Sequence, residues 1–395
     1  MRAAEEDAAA SPFARLPDAL VALVLSHLSD VASIGRALTV SRGFAAAGTA
    51  DARLVWARAA AALQWRLRRR ESETGRELCV RANARRQRIA VFGGSCTVGS
   101  PLYTHDMYDV ARQEWLPSPF LFTTYPRDAS ALASDGATVA LLGGWGGTRA
   151  VRAVEAASLT EEARSWKRLT PLPRRLCFGA AQMDASGRLW FAGGGSSIYR
   201  GARCHGEVLH LDGGAWREAG ELVSPRCGLA VAADARSSSF FALGGYAGGT
   251  RYLSTAEAFD TATGKSTPIP SMGVARSGPG AAVGPDGALY VVGGSSDGCV
   301  SLRSAERYDP REGRWEPLPP LPTARGYLGA TFALDGRLYA AGGAEWPGGG
   351  GGEEEEEEEG ASDAFEAFCP RTGRWERLPP LPAGRANLAV AVVFS

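Results

Sequence analysis

Residues 326–343 read GYLGATFALDGRLYAAGG. Short apolar stretches flank Asp335-Gly336, and an Asp-Gly pair in that setting predicts a two-stranded hairpin with a tight turn. The stretch ends on a glycine doublet, Gly342-Gly343. Five more doublets precede it, at Gly93-Gly94, Gly143-Gly144, Gly193-Gly194, Gly244-Gly245 and Gly293-Gly294, and successive pairs lie 50, 50, 51, 49 and 49 residues apart. Chance does not space six doublets so evenly, even with 50 glycines in 395 residues. A period of roughly 50 residues marks a repeated four-stranded unit.

The rest of the unit can be written outward from the hairpin. Its turn recurs at Asp135-Gly136 and Asp286-Gly287, with Ser186-Gly187 as a variant. A third strand carries an acidic and aromatic signature: HDMYD around Tyr108, TAEAFD around Phe259, SAERYD around Tyr308 and DAFEAF around Phe368. A turn of the DPREGR type leads to a fourth strand headed by Trp115, Trp166, Trp216, Trp315 or Trp375. Four of these tryptophans stand 21 or 22 residues beyond the second glycine. In the fourth unit that register falls on Ser266 or Thr267. In the sixth the gap is 32, because PGGGGGEEEEEEEG (347–360) intervenes. Each tryptophan is expected to wedge between neighbouring units.

The doublets are read as structural punctuation. Glycine adopts positive φ without strain and lets another backbone approach closely. The segment GGWGGT at Gly143 has the glycines of a phosphate loop, but no GK[ST] and no strand-to-helix context follows it.

Composition excludes several classes. The formal net charge is zero, which argues against a general nucleic-acid binder. No apolar run approaches the ~20 residues of a membrane span. The acidic N-terminus MRAAEEDAAASPF lacks the apolar core of a secretory signal. Seven scattered cysteines show neither CxxC pairs nor a disulfide framework, so a reducing compartment, cytoplasmic or nuclear, is expected. Only two lysines occur, Lys167 and Lys265, amid abundant Ala, Gly, Arg and Pro. Isolated arginines therefore carry little weight, whereas arginines that recur in register do.

Doublet, acidic-aromatic third strand and spaced tryptophan together resemble the kelch repeat over residues 88–395. The resemblance implies an all-β, six-bladed kelch β-propeller. Its first blade lacks an opening strand before Arg88, and the chain ends on an orphan apolar stretch within 386–394. That strand is expected to complete blade one and close the ring, which removes the open edges of the sheets.

Residues 1–87 have a different grammar. After a disordered start (1–10), residues 11–58 read as short amphipathic helices, with Leu20, Val24 and Leu28 on one face and Val21 and Leu25 beside them. A basic linker (59–87) follows. Leu16-Pro17, Val40-Ser41-Arg42 with Phe44, and Leu54-Val55-Trp56 resemble an F-box, a small all-α domain. The resemblance implies a partner, the Skp adaptor of SCF ubiquitin ligases, contacted through Leu16, Pro17, Leu20, Val24, Leu25 and Leu28. A propeller joined to such a head is expected to capture a target protein for ubiquitination. The alternative is a kelch scaffold acting outside a ligase.

The target site is expected on the face where chain emerges after the doublets and after the fourth strands. An arginine opens each inner strand there: Arg127, Arg175, Arg226, Arg276, Arg325 and Arg385. Ringing the mouth of the central channel, they would grip acidic or phosphorylated groups through bidentate contacts. Trp145, Tyr246 and Trp346 follow doublets on the same face and are candidate contacts. The alternative open here is that the arginines brace the blades by pairing with carbonyls or acidic neighbours. The seven glutamates of 353–359 repel one another and are expected to form a solvated loop. No catalytic, metal or cofactor site is read. Cys204-His205 with His210 is the one histidine-cysteine cluster, and its spacing suits a loop and a strand rather than a metal.

Overall fold

The computed structural model describes residues 87–394, apart from 97–99, 103, 117–122, 124–125, 159–165, 198–201, 234–237 and 347–359. The F-box-like head with its six adaptor-facing candidates lies outside the described residues, as do the linker to residue 86 and the glutamate run.

Strands are numbered in chain order. Blade one combines β26 (Ala389–Phe394), β1 (Gln87–Phe92), β2 (His105–Asp109) and β3 (Glu114–Leu116). Blade two is β4 (Ala131–Ser134), β5 (Thr138–Leu142), β6 (Val154–Ser158) and β7 (Lys167–Arg168). Blade three is β8 (Cys177–Met183), β9 (Leu189–Gly195), β10 (Glu207–Asp212) and β11 (Ala215–Glu221). Blade four is β12 (Ala230–Ala233), β13 (Ser239–Leu243), β14 (Ala256–Asp260) and β15 (Lys265–Ile269). Blade five is β16 (Gly280–Val283), β17 (Leu289–Val292), β18 (Ala305–Asp309) and β19 (Arg314–Leu318). Blade six is β20 (Gly329–Phe332), β21 (Leu338–Ala341), β24 (Phe365–Cys369) and β25 (Arg374–Arg377), with a small pair, β22 (Ala344–Glu345) and β23 (Gly360–Ala361), between its second and third strands. The sheets are antiparallel. Because β26 sits beside β1, the last strand of the chain supplies the inner strand of the first blade.

The core is distributed between blades. Six apolar clusters each draw on two neighbouring blades, as where Ile89 and Tyr108 of blade one meet Tyr339 and Phe365 of blade six. No blade buries its apolar faces alone, so the ring stands or falls as a unit. The tryptophans join blades more lightly than a fully buried wedge. They are half-buried, and four indole N–H groups reach back one blade to a carbonyl: Trp115 to Pro379 O, Trp216 to Thr170 O, Trp315 to Pro270 O and Trp375 to Pro319 O, at 2.7–2.9 Å. In blade four Ser266 faces Phe259 in the tryptophan's place and donates to Glu257 Oε2 at 2.6 Å.

The doublets form the joints. All twelve glycines have positive φ, from 58° to 113°. In blade five, Gly294 N–H donates at 2.9 Å to the carbonyl of Arg325, the residue that opens the next blade. A Cβ on Gly293 would stand 2.5 Å from that same oxygen. The equivalent bonds run from Gly144 to Leu176, Gly194 to Arg226, Gly245 to Arg276 and Gly343 to Arg385.

Candidate functional site

The face that carries the post-doublet loops also receives the connections from each outer strand to the next inner strand, because strand direction alternates within a blade. The in-register arginines do open the inner strands, but five of the six point into their blades. Arg127, Arg226, Arg276, Arg325 and Arg385 are at most 1% exposed. Arg276 shows the pattern: Nη1 donates to Gly293 O at 2.7 Å and Ser304 O at 3.0 Å, and Nη2 to Glu306 Oε1 at 2.5 Å. Arg325 does the same with Gly342 O, Ala364 O and Glu366. Arg127, Arg226 and Arg385 pair with Glu155, Glu257 and Asp106. These five arginines are braces, not ligand contacts, because a buried charge is held only when paired and hydrogen-bonded. Four of the partners are acids of the third-strand signature and Glu155 holds the same position in β6, so for these five the alternative reading, arginines bracing the blades through carbonyls and acidic neighbours, describes the structure.

Blade three breaks the rule. Register through the doublets places Leu176, not Arg175, in the brace position, and Leu209 in the position of the acid. Both leucines are buried in one apolar cluster and line a cavity of about 180 Å³. Here an apolar pair replaces the ion pair. Arg175 is thereby released to the surface, and its neighbour Arg174 pairs with Glu207 at 2.8 Å.

Two residues beyond each brace position the chain turns left-handed. Ala129, Phe178, Gly228, Gly278, Tyr327 and Asn387 have φ between 48° and 61°. Four of the six are not glycine, so strain is concentrated at one level of the ring, a pattern that clusters at functional sites. Their backbones bond in a closed circle. Phe178 N–H donates to Ala129 O, Gly228 to Phe178, Gly278 to Gly228, Tyr327 to Gly278, Asn387 to Tyr327 and Ala129 to Asn387, at 2.7–3.1 Å. These six N–H groups are spent on one another and are not offered to a ligand.

Two aromatic rings fill the circle. Phe178 of blade three and Tyr327 of blade six start from opposite sides of the six-blade ring, yet their centroids lie 5.4 Å apart. Trp346 stands edge-on to Tyr327, also at 5.4 Å. All three are half-exposed. By contrast, the expected contacts Trp145 and Tyr246 are 3% and 9% exposed, and their backbones bridge to Asp128 and Cys227 at the inner-strand starts. They support the face rather than present it. Sequence reasoning missed Phe178 and Tyr327. Their position two residues past the brace slot was a usable signal.

Charge around this floor is uneven. Exposed Arg149, Arg152, Arg174, Arg175, Arg203 and Arg251 lie in the loops and connections of blades two to four, whereas in blades five and six exposed Asp297 and Glu345 accompany a single post-doublet arginine, Arg303. Beneath the rim, Asp128 is 1% exposed and its Oδ1 has no hydrogen-bond partner. Burial pushes its carboxyl up to about 6, against a smaller lowering by a bond from Ser95. A carboxylate with a raised folded pKa adds stability below its unfolded value, and that stability is lost as pH rises through the folded one. Asp128→Asn is therefore expected to stabilise the protein by about 2 kcal/mol at pH 8 and to have little effect at pH 4, as read from urea midpoints across that range.

Residues 238–273 and 276–322 match the Kelch motif. Blades four and five carry kelch motifs. The glycine doublets of these two blades recur at the same place in the other four, and their acidic-aromatic third strand recurs in blades one and six. Among solved structures, one titled "Structure of YjhT" is similar to this chain, with a TM-score of 0.57 and 15% identity over 68% of this chain and 88% of that one, a likeness of fold. A search of curated proteins finds no match. Among the described residues, no three His, Cys, Asp or Glu side chains converge to hold a metal ion, and no helix is long and apolar enough to cross a membrane. A propeller with kelch motifs suggests a protein-binding module.

Proposed function

We propose that this chain is the target-recognition subunit of an SCF-type ubiquitin ligase and is not itself an enzyme. The observation that supports target capture is the aromatic floor of Phe178 and Tyr327, both at strained φ, with Trp346 beside them and arginines of blades two to four at its border. Half-exposed aromatic side chains beside arginine are the groups on which binding energy concentrates at protein interfaces. An acidic or phosphorylated segment fits, with an apolar side chain on the floor and its anionic groups toward Arg175 and its neighbours. The F-box resemblance of residues 11–58 supports the ligase assignment. In this reading the head holds the Skp adaptor and the propeller brings the bound target close to the ubiquitin donor, in the cytoplasm or nucleus. The catalytic gain is one of proximity.

Co-expression with the Skp adaptor tests the assignment. Wild-type chain is expected to co-purify with the adaptor, and a Leu16→Ala/Pro17→Ala variant to lose it while keeping a folded propeller. Adaptor-independent behaviour of both proteins would leave a kelch scaffold outside a ligase. A pulldown with residues 1–86 removed, compared with the same protein carrying Phe178→Ala and Tyr327→Ala, identifies ligands that need the floor.

A further inference from the structure

Cys204 and Cys227 come together at the joint between blades three and four. Their Sγ atoms are 2.9 Å apart, and Cys204 Sγ also lies 3.1 Å from Tyr246 O. Cys204 follows the doublet of blade three and is half-exposed, whereas Cys227 opens the inner strand of blade four and is buried. The space they share exists because of a local departure from the repeat. The residue after the doublet is Ser95, Trp145, Tyr246, Ser295 or Ala344 in the other blades, but Gly195 in this one. A Cβ at Gly195 would stand 3.3 Å from Cys227 Cβ and 3.5 Å from its Sγ, so a larger side chain would crowd the thiol.

We infer that Cys204 and Cys227 form a peroxide-oxidisable dithiol whose disulfide staples blade three to blade four. The two sulfurs already touch, and closing to a bond length of about 2.05 Å needs a movement of roughly 1 Å. Their roles differ. The thiolate is the reactive form, and a hydrogen bond from Cys227 favours it at Cys204, whose thiol is held below its ordinary range. That donated bond, with burial added, pushes Cys227 up and leaves it protonated until it is used. The Cys204 thiolate attacks a hydroperoxide, breaking the O–O bond to give a sulfenic acid and, after protonation, an alcohol or water. The Cys227 sulfur then displaces the sulfenic oxygen as water while its proton is lost to that leaving group. Two thiols and one hydroperoxide thus become one disulfide, one alcohol or water molecule, and one water.

Cys177 is the nearby competitor. It is 1% exposed, its thiol is directed at Gly195 O at 3.5 Å, and burial pushes it up to about 12. The linkage would form just behind the aromatic circle, since Gly228 follows Cys227 and donates to Phe178 O at 2.8 Å. The inference does not depend on the ligase assignment.

Reduced full-length protein is treated with about one equivalent of hydrogen peroxide and followed by intact mass and tryptic mapping. The expected product is lighter by about two hydrogens and contains one linked pair, peptide 204–217 joined to peptide 227–236, released by dithiothreitol. Cys177→Ser is expected to form the same pair. Cys227→Ala is expected to form no linked pair and, oxidising more slowly without the donated bond, to leave a sulfenic acid at Cys204 that dimedone traps. The inference is overturned if the wild-type protein leaves both thiols reduced while exposed Cys96 and Cys299 oxidise, if Cys204 advances to sulfinic acid unlinked, or if the linked peptide is that of Cys177. Because the mapping is read on wild-type protein, the result does not hang on whether a variant folds.

Discussion

Arg325→Ala is expected to destabilise the propeller by about 3–5 kcal/mol, because it leaves the buried Glu366 carboxylate without its cation. Arg325 is fully buried, and its two terminal nitrogens hold the carbonyls of Gly342 and Ala364 together with Glu366 Oε2, at 2.6–2.7 Å. Glu366 keeps only a bond from Thr323 when the arginine is gone. Blade three supplies the counter-experiment, since Leu176 and Leu209 stand where the other blades place cation and acid. Copying that solution into blade five, as Arg276→Leu with Glu306→Leu, is expected to recover more than half of what Arg276→Leu alone loses. Removing both charges abolishes the uncompensated desolvation, while the carbonyls of Gly293 and Ser304 still lose donors and the N–H groups of Gly273 and Val274 lose their acceptor. Urea unfolding of the two single variants and the double variant gives the coupling directly. A double variant as unstable as its worse parent would show that packing volume, not charge, sets the value of the pair.

Gly293→Ala is the second change of large effect, expected to cost about 2–5 kcal/mol. Two terms add. The backbone there has φ of 62°, and the new Cβ meets the Arg325 carbonyl, a rigid atom already bonded to Gly294 N–H. Gly287→Ala separates the terms, because Gly287 has φ of 83° but nothing within 4 Å of an added Cβ. It is expected to lose only the conformational part, about 1–2 kcal/mol. The difference between the two variants measures how tightly blade five must seat on blade six. Equal losses would mean that the doublet serves its own turn and not the joint.

The fold was legible because its punctuation is chemical. Positive φ and close backbone approach demand glycine, so every joint leaves a doublet in the sequence. The hairpin turns show the same logic: Asp135 Oδ1 accepts from the N–H groups of Ala137 and Thr138, and Gly136 takes φ of 89°. Strand direction then follows from antiparallel order, and with it the face on which each loop emerges. The site was legible only in position. An arginine in register announces that it does one job six times, but not whether that job faces water or the blade. Two residues of offset separate a buried Arg325 from a half-exposed Tyr327, and Arg175 sits one residue outside the brace slot that Leu176 fills.

Residues 326–343 and their recurrences, read as sequence, determined the six-blade repeat, the hairpins and the joints, since each depends on local conformational preference, and the strand missing before Arg88 pointed to β26 as its replacement. Tertiary structure alone decided that five arginines turn inward, where desolvation forces each onto a carboxylate. It also decided that Phe178 and Tyr327, 149 positions apart in the chain, meet over the channel, and that Cys204 and Cys227 touch. Contacts across a ring depend on how blades are turned toward one another, and periodicity along the chain carries no record of that angle.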